Sequence, residues 1–133
     1  MAVMAGIDLL GKFLAGSDKG SVGKRFCRFL EDCFNMRNTH DRETIHQLRN
    51  SLVHSFGLYS EHKGTVYHFV LTESGSSPLV STRPDDRYVV DVRVLHCEFE
   101  KAIEVYRTKL DRDAEWQKKF TDMFSLYGCV PIQ

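Results

Sequence analysis

Residues 39–57 read THDRETIHQLRNSLVHSFG, and the spacing of their apolar side chains decides the expected fold. Apolar residues recur every three or four positions, which is typical of an α-helix with one buried face. Thr39 or Asp41 could cap the start of this helix, and Gly57 is expected to end it. The apolar positions, which we expect in the core, are Ile45, Leu48, Leu52 and Phe56.

The sequence on both sides of this stretch shows the same helical spacing. Two helices are expected before it, over residues 7–14 and 22–33, and two after it, over residues 92–110 and 116–127. We therefore expect a mainly α fold, a four- or five-helix bundle in a single domain that spans residues 1–133. The apolar stripes of the last two helices are Val92, Leu95, Phe99, Ile103, Tyr106 and Leu110, then Trp116, Phe120, Met123, Phe124 and Tyr127.

Between the third and fourth helices the apolar period changes from helical spacing to alternation. Residues 65–71 read TVYHFVL and are rich in β-branched and aromatic side chains, which favours a strand. The cluster ESGSSP that follows predicts a hairpin turn. We expect a small β-hairpin or ribbon over about residues 64–90, inserted into the bundle, and Asp91 as the cap of the fourth helix.

Charge and composition restrict the classes of function. The chain has 133 residues, with 18 Lys plus Arg against 18 Asp plus Glu, so its formal charge is zero. A content of 42% hydrophobic and 27% charged residues excludes disordered, collagen-like and membrane-spanning chains. Zero net charge also excludes a uniformly basic nucleic-acid binder, because non-specific affinity for phosphate comes from surplus Lys and Arg. A nucleic-acid function must therefore rest on a local site.

The cysteines and the first residues indicate the compartment. No C-x-x-C pair is present, which excludes a zinc knuckle and a thioredoxin-type redox motif. The first 14 residues lack a leading basic segment, and their apolar run is interrupted, so neither a signal peptide nor a membrane helix is expected. We predict a cytoplasmic protein with buried free thiols. The four cysteines are Cys27, Cys33, Cys97 and Cys129.

The central helix also carries the pattern R-N-x-x-x-H, formed by Arg49, Asn50 and His54. Because the chain has ten Arg and six His, an Arg followed by His at about this distance is expected roughly once by chance. Requiring Asn directly after Arg lowers this expectation to on the order of a few hundredths. At about 100° per residue, Asn50 and His54 lie on one side of a helix, whereas Arg49 lies about 140° from His54 and must reach across.

This motif on an amphipathic helix resembles the HEPN superfamily, whose ribonuclease members carry an Arg, a polar residue and a His at similar spacing. The resemblance implies a homodimer in which two copies of the motif share one basic cleft. It also implies metal-independent RNA cleavage without a cofactor, in which a 2′-OH attacks the adjacent phosphate. In that chemistry His54 transfers a proton, Arg49 stabilises charge on the phosphate, and Asn50 orients one of these groups.

Further polar residues are predicted to bind RNA without taking part in the reaction. His46 lies on the same helical face as Asn50 and His54. The eight residues from His46 to His54 span more than about 10 Å, too far for two ligands of one ion, so no metal is expected on this face. A basic cluster at the start of the second helix could flank an RNA groove, although such clusters are commonly solvated helix faces. The substrate-binding candidates are His46, Lys24, Arg25 and Arg28.

The leading hypothesis is an endoribonuclease of HEPN type that acts as a toxin or antiviral defence effector. Its partners would be RNA, a second copy of the chain, and an antitoxin or regulatory protein. Two alternatives stay open: a non-catalytic HEPN-like module that binds a nucleotide or RNA, and a small helical interaction protein in which the motif is accidental. Metal-independent RNA cleavage would distinguish the first hypothesis from both alternatives.

Overall fold

The structure, a computed structural model, describes residues 2–55 and 57–127. These two ranges contain five α-helices and four β-strands, and the π-helical turn Ser51–Ser55 directly continues the third helix. Within them, no helix has both the length and the apolar character that crossing a membrane requires. The helices are α1 (Ala2–Ala15), α2 (Val22–Asp32), α3 (Thr39–Asn50), α4 (Val92–Arg112) and α5 (Ala114–Tyr127). The strands are β1 (Tyr59–His62), β2 (Thr65–Thr72), β3 (Val80–Thr82) and β4 (Tyr88–Asp91).

Polar side chains fix where the helices begin. Asn38 caps α3, because its Oδ1 accepts hydrogen bonds from two backbone N–H groups of the first turn at 2.9 and 3.2 Å. Neither Thr39 nor Asp41, the predicted caps, has this role. Asp91 caps α4 as predicted, with Oδ1 accepting two backbone hydrogen bonds at 3.1 and 3.2 Å.

The strands form a four-stranded mixed sheet, and this finding corrects the predicted helical bundle with a ribbon inserted at about residues 64–90. The strand order is β1-β2-β4-β3, with antiparallel pairs at both edges and a parallel pair, β2 and β4, in the centre. A simple hairpin or ribbon contains no parallel pair, because parallel strands need a crossover connection. Tyr67, Phe69 and Val90 of the central strands are buried in one core with helical side chains. The sheet therefore packs against the helices and contributes to the core of the fold.

Two local features explain why the sheet differs from the predicted ribbon. The turn from β1 to β2 has positive φ at both Lys63 (50°) and Gly64 (79°), which matches the twist of a tight hairpin. Because Lys rarely adopts this conformation, the sequence gives no clear turn signal there. The cluster predicted as a hairpin turn instead contacts the start of α4. There Asp91 Oδ2 accepts hydrogen bonds from Ser74 Oγ at 2.7 Å and from Gly75 N at 2.9 Å.

The predicted apolar stripe of α3 is confirmed where the structure describes it. Ile45 and Leu48 are fully buried, and Leu52 in the π-helical turn packs against the core while half-buried. Phe56, the last position of that stripe, lies outside the described residues. The hydrophobic spacing of this stretch therefore predicts correctly which side of α3 faces the core.

The stripes predicted for the last two helices are only partly buried. In α4 the side chain of Ile103 is 38% exposed, while the neighbouring Ala102 is buried in its place. In α5, Met123 is buried and Phe124 is exposed, and the side chain of Tyr127 lies outside what the structure describes. Large apolar side chains thus remain on the outer surface of both helices.

The cysteines in the described ranges are free thiols. Cys33 is buried, Cys27 is half-buried and Cys97 is exposed, whereas Cys129 lies outside these ranges. The expectation of a buried thiol is therefore confirmed for Cys33 and wrong for Cys97.

Candidate functional site

The π-helical turn brings the residues of the R-N-x-x-x-H motif together. Arg49 and Asn50 are the last two residues of α3, and His54 lies in the turn that follows. A π-helix repeats its hydrogen bonds every five residues, so it aligns positions five apart, which an α-helix does not. Arg49 NH1 consequently lies 3.5 Å from His54 Nε2, although an ideal α-helix separates these residues by about 140°. Single π-helical turns of this kind are frequent at functional sites.

The Arg49 guanidinium contacts three side chains, those of Asp8, Asn50 and His54. Its Nε and NH2 groups lie 3.0 and 2.9 Å from Oδ2 of Asp8 in α1, and its NH1 donates to Asn50 Oδ1 at 3.0 Å. Only 14% of the Arg49 side chain and 22% of the Asp8 side chain is exposed. Arg49 is therefore fixed by an ion pair across two helices, while NH1 alone is directed at Asn50 and His54.

The contact with Arg49 involves one ring nitrogen of His54, Nε2. A guanidinium only donates hydrogen bonds, so Nε2 of His54 can only be the acceptor in this contact, which requires the tautomer that carries its proton on Nδ1. His54 is exposed to solvent. The arrangement therefore offers an accessible base beside a fixed positive charge.

His54 and Asn50 line a cavity of about 320 Å³ against strand β1. The rest of its lining comes from Gln47 of α3 and from the residues of β1. Gln47 connects these two elements, because its side chain accepts a hydrogen bond from Ser60 Oγ. We call this space the motif cavity. Its lining residues are Gln47, Asn50, His54, Tyr59, Ser60, Glu61 and His62.

Three of the four predicted RNA-binding residues line a second cavity, of about 510 Å³, between α2 and α3. We call it the α2–α3 cleft, and it adjoins the motif cavity because His62 lines both. The basic or histidine residues that line it are Lys24, Arg28, Arg42, His46, His62 and Lys63, and its acidic residues are Glu31 and Glu43. The predicted substrate-binding residues are thus mostly next to the motif, and their role in binding RNA stays a prediction.

Arg25 is the exception among the predicted RNA-binding residues. It is only 8% exposed, and its NH1 donates to the Lys19 carbonyl at 2.6 Å. The carbonyl oxygen of Arg25 lies 2.9 Å from the position that a Cβ on Gly11 would occupy, so α1 and α2 pack closely at this point. Arg25 therefore joins these two helices and presents little surface to a ligand.

Burial shifts the pKa of two groups in the α2–α3 cleft, His46 and Cys27. Burial lowers the pKa of His46 below 6.5, although the neighbouring Glu43 carboxylate acts in the opposite direction. Burial and Glu43 together raise the pKa of the Cys27 thiol to about 11. Because the thiolate is the reactive form of cysteine, Cys27 is not placed to act as a nucleophile.

Sequence reasoning did not identify Asp8, Tyr59 and His62 as residues near the motif. Asp8 is 41 positions from Arg49, and no local pattern connects them. Tyr59 and His62 belong to β1, the strand that was not predicted. Glu43 was also missed, although its position three residues before His46 places both on one face of α3.

The chain was compared with models of protein families, with curated proteins and with solved structures, and none of the three comparisons finds a match. The functional argument therefore depends on the motif and on the geometry around it.

Proposed function

We propose that this protein is a metal-independent endoribonuclease whose reactive groups are Arg49 and His54, with Asn50 as a positioning residue. The observation that supports the proposal is the 3.5 Å contact between Arg49 NH1 and His54 Nε2, formed by the π-helical turn and held by Asp8. A fixed guanidinium beside an accessible imidazole provides both functions that phosphodiester transesterification needs, charge stabilisation and proton transfer.

In the proposed reaction the scissile phosphate displaces the direct contact between Arg49 and His54. His54 Nε2 removes the proton from the 2′-OH, and the 2′ oxygen forms a bond to phosphorus. The bond from phosphorus to the 5′ oxygen then breaks, and the leaving oxygen receives a proton, so a 2′,3′-cyclic phosphate and a 5′-OH end are formed. Arg49 NH1 donates to a phosphate oxygen on which negative charge accumulates, and Asn50 Oδ1 keeps NH1 in position.

A second copy of the chain would supply the acid for this step. The resemblance to the HEPN superfamily implies a two-fold dimer, and a symmetric contact brings the same residue of each copy to one axis. Exposed apolar side chains flank His54 in the sequence, namely Val53, Leu58 and Tyr59, and they offer surface for such a contact. His54 of one protomer would then act as base and the same residue of its partner as acid.

The RNA strand would extend from the motif cavity into the α2–α3 cleft. Lys24 and Arg28 are exposed at this cleft, so they can contact phosphates on one side of the scissile bond. The chain as a whole is neutral, and the local basic residues therefore carry the electrostatic attraction. The cellular setting, a toxin or antiviral defence effector with an antitoxin or regulatory partner, is proposed from the resemblance alone.

The test is to incubate the purified protein with total RNA in excess EDTA and to identify the ends of the fragments. We expect cleavage that leaves 5′-OH ends. Arg49→Ala and His54→Ala should each lower the rate by about 100-fold or more, because one proton-transfer group or one charge-stabilising donor contributes about that much. The matched controls are Arg107→Ala and His96→Ala, which alter exposed residues of α4. Far-UV circular dichroism establishes that each variant is folded.

Four outcomes would contradict the proposal. If a folded His54→Ala variant still cleaves RNA, His54 is not the base. If cleavage requires Mg²⁺, the reaction is not the proposed metal-independent one. RNA or nucleotide binding without cleavage identifies a non-catalytic module, and an absence of both indicates a helical interaction protein.

A further inference from the structure

Potential metal ligands from three elements converge inside the α2–α3 cleft. Cys27 of α2 and Glu43 and His46 of α3 each contribute one ligand atom, and these three atoms lie within 4.8 Å of one another. His62 of β1 adds a fourth group, because its Nε2 lies 3.4 Å from Glu43 Oε1. None of these side chains belongs to the motif of the proposed ribonuclease.

We propose that Cys27, Glu43, His46 and His62 form a zinc-binding site. In a tetrahedral zinc site, nitrogen and oxygen ligands at 2.0–2.1 Å from the ion are about 3.4 Å apart. The observed separations from Glu43 Oε1 are 3.4 Å to His62 Nε2 and 3.9 Å to His46 Nδ1. The two separations that involve Glu43 are therefore close to those between ligands of one bound zinc ion.

The donor set favours zinc over the other common metal ions. Sulfur, imidazole nitrogen and carboxylate oxygen are all ligands that Zn²⁺ binds, whereas Mg²⁺ and Ca²⁺ prefer sites made only of oxygen. The Cys27 thiolate and the Glu43 carboxylate together neutralise the two charges of the ion. A half-buried site can therefore hold the metal without an uncompensated charge.

The surroundings of the four residues fit a site of this kind. Gly23 leaves room for the His46 ring, since a Cβ at residue 23 would lie 2.8 Å from His46 Cε1. Gln47 Nε2 donates to Glu43 Oε1 at 2.8 Å and so orients the carboxylate, as residues around metal ligands commonly do. Among the described residues, the hydrogen bond of Cys27 Sγ is a long one, 3.9 Å to the Arg42 carbonyl, so the sulfur makes no strong hydrogen bond there.

The proposed ion has a structural role and no part in RNA cleavage. Four protein ligands fill a tetrahedral shell and leave no position for water or substrate. The ion would join β1 to α2 and α3, three elements that are separated in the sequence. It would thereby fix His62, which stands between the α2–α3 cleft and the motif cavity.

The test measures metal binding directly, on the intact chain after it has been stripped of metal and returned to chelator-free buffer. Titration with Zn²⁺ in the presence of a chromophoric competitor gives stoichiometry and affinity, and Co²⁺ reports coordination through its absorption spectrum. We expect one ion per chain, a thiolate-to-cobalt charge-transfer band, and a higher melting temperature with Zn²⁺. Cys27→Ser should abolish the charge-transfer band, and Glu43→Gln and His46→Ala should each weaken Zn²⁺ binding by about 100-fold or more.

Control variants and a fourth ligand variant keep the test decisive. Cys97→Ser and His96→Ala alter exposed residues of α4 and should leave metal binding unchanged. If Cys27→Ser fails to fold, His62→Ala remains informative, because the His62 side chain is 40% exposed and its loss leaves the core intact. The proposal is overturned if Zn²⁺ does not bind, or if either Cys27→Ser or His62→Ala is folded and binds Zn²⁺ as the wild type does. RNA enters neither measurement, so this result is independent of the ribonuclease proposal.

Discussion

The ion pair between Asp8 and Arg49 should contribute measurably to stability, and a double-mutant cycle can isolate it. Asp8 Oδ2 lies 3.0 and 2.9 Å from Nε and NH2 of Arg49, and the two side chains are mostly buried. Removing one partner of a fully buried pair costs about 3–5 kcal/mol, because the remaining charge stays uncompensated. Some exposure of both groups reduces this cost, so we expect Asp8→Asn to lower the free energy of unfolding by about 2–3 kcal/mol.

The assay is urea denaturation of four proteins: the wild type, Asp8→Asn, Arg49→Met and the double variant. Methionine retains much of the length of the arginine stem and removes its charge. The coupling energy between the two residues should be about 1.5 kcal/mol, the scale of a hydrogen bond that involves charged groups. A loss of 2–3 kcal/mol by itself corresponds to roughly a 30- to 150-fold change in the folding equilibrium, well within the range of the method.

A second ion pair of the chain serves as the control. Lys118 Nζ lies 2.8 Å from Asp122 Oδ2, a similar distance, but these side chains are 77% and 51% exposed. Exposed pairs four residues apart on a helix contribute only about 0.3–0.5 kcal/mol. If the coupling between Asp8 and Arg49 does not exceed that of this control, burial does not strengthen the pair, and the account of how Arg49 is held in place is wrong.

Three further perturbations test other parts of the structure. Gly23→Ala places a Cβ against His46, so it should weaken Zn²⁺ binding by about tenfold and lower the unfolding free energy by about 1–3 kcal/mol, measured by competitor titration and urea denaturation. In the double variant Lys24→Ala, Arg28→Ala, log affinity for RNA should fall less steeply with log salt concentration, by about 1.4 in the slope, because each phosphate contact on single-stranded RNA contributes about 0.7. Fluorescence anisotropy of a labelled oligonucleotide measures this slope. Burial raises the pKa of Asp91, but its hydrogen bonds outweigh this effect and hold the pKa below 3.8. The stability that these hydrogen bonds contribute should therefore be lost as pH falls through the lowered pKa. In urea denaturation at acid pH, Asp91→Asn should make the free energy of unfolding depend less on pH.

The helices of this fold could be predicted from the sequence because their signals are local. The spacing of Ile45 and Leu48 identifies the buried side of α3, and Asp91 identifies the start of α4. The sheet depends instead on the pairing of β2 with β4, across a connection that contains β3. No pattern within a single strand specifies a parallel neighbour, so alternation alone led to a ribbon.

The candidate site shows the same division between local and distant information. Arg49, Asn50 and His54 are recognisable as a motif because they lie within six residues. Their close contact depends on a π-helical turn, which hydrophobic spacing does not reveal. The partner that fixes Arg49 is Asp8, a residue of another helix, and a contact over 41 positions can be established only by the packing of α1 on the rest of the fold.

The corrected fold also explains why α3 is polar on the side opposite its apolar stripe. Gln47 is almost fully buried, and a buried amide is costly unless its hydrogen bonds are formed. The sheet resolves this problem, because Ser60 of β1 donates to Gln47 Oε1 while Gln47 Nε2 donates to Glu43. The predicted fold, a bundle with a ribbon over residues 64–90, has no strand β1, so the Gln47 amide would lack the hydrogen bond from Ser60. The polar face that builds the motif cavity and the proposed zinc site is therefore the surface on which β1 packs, and the strand that the sequence failed to predict is the one that assembles both sites.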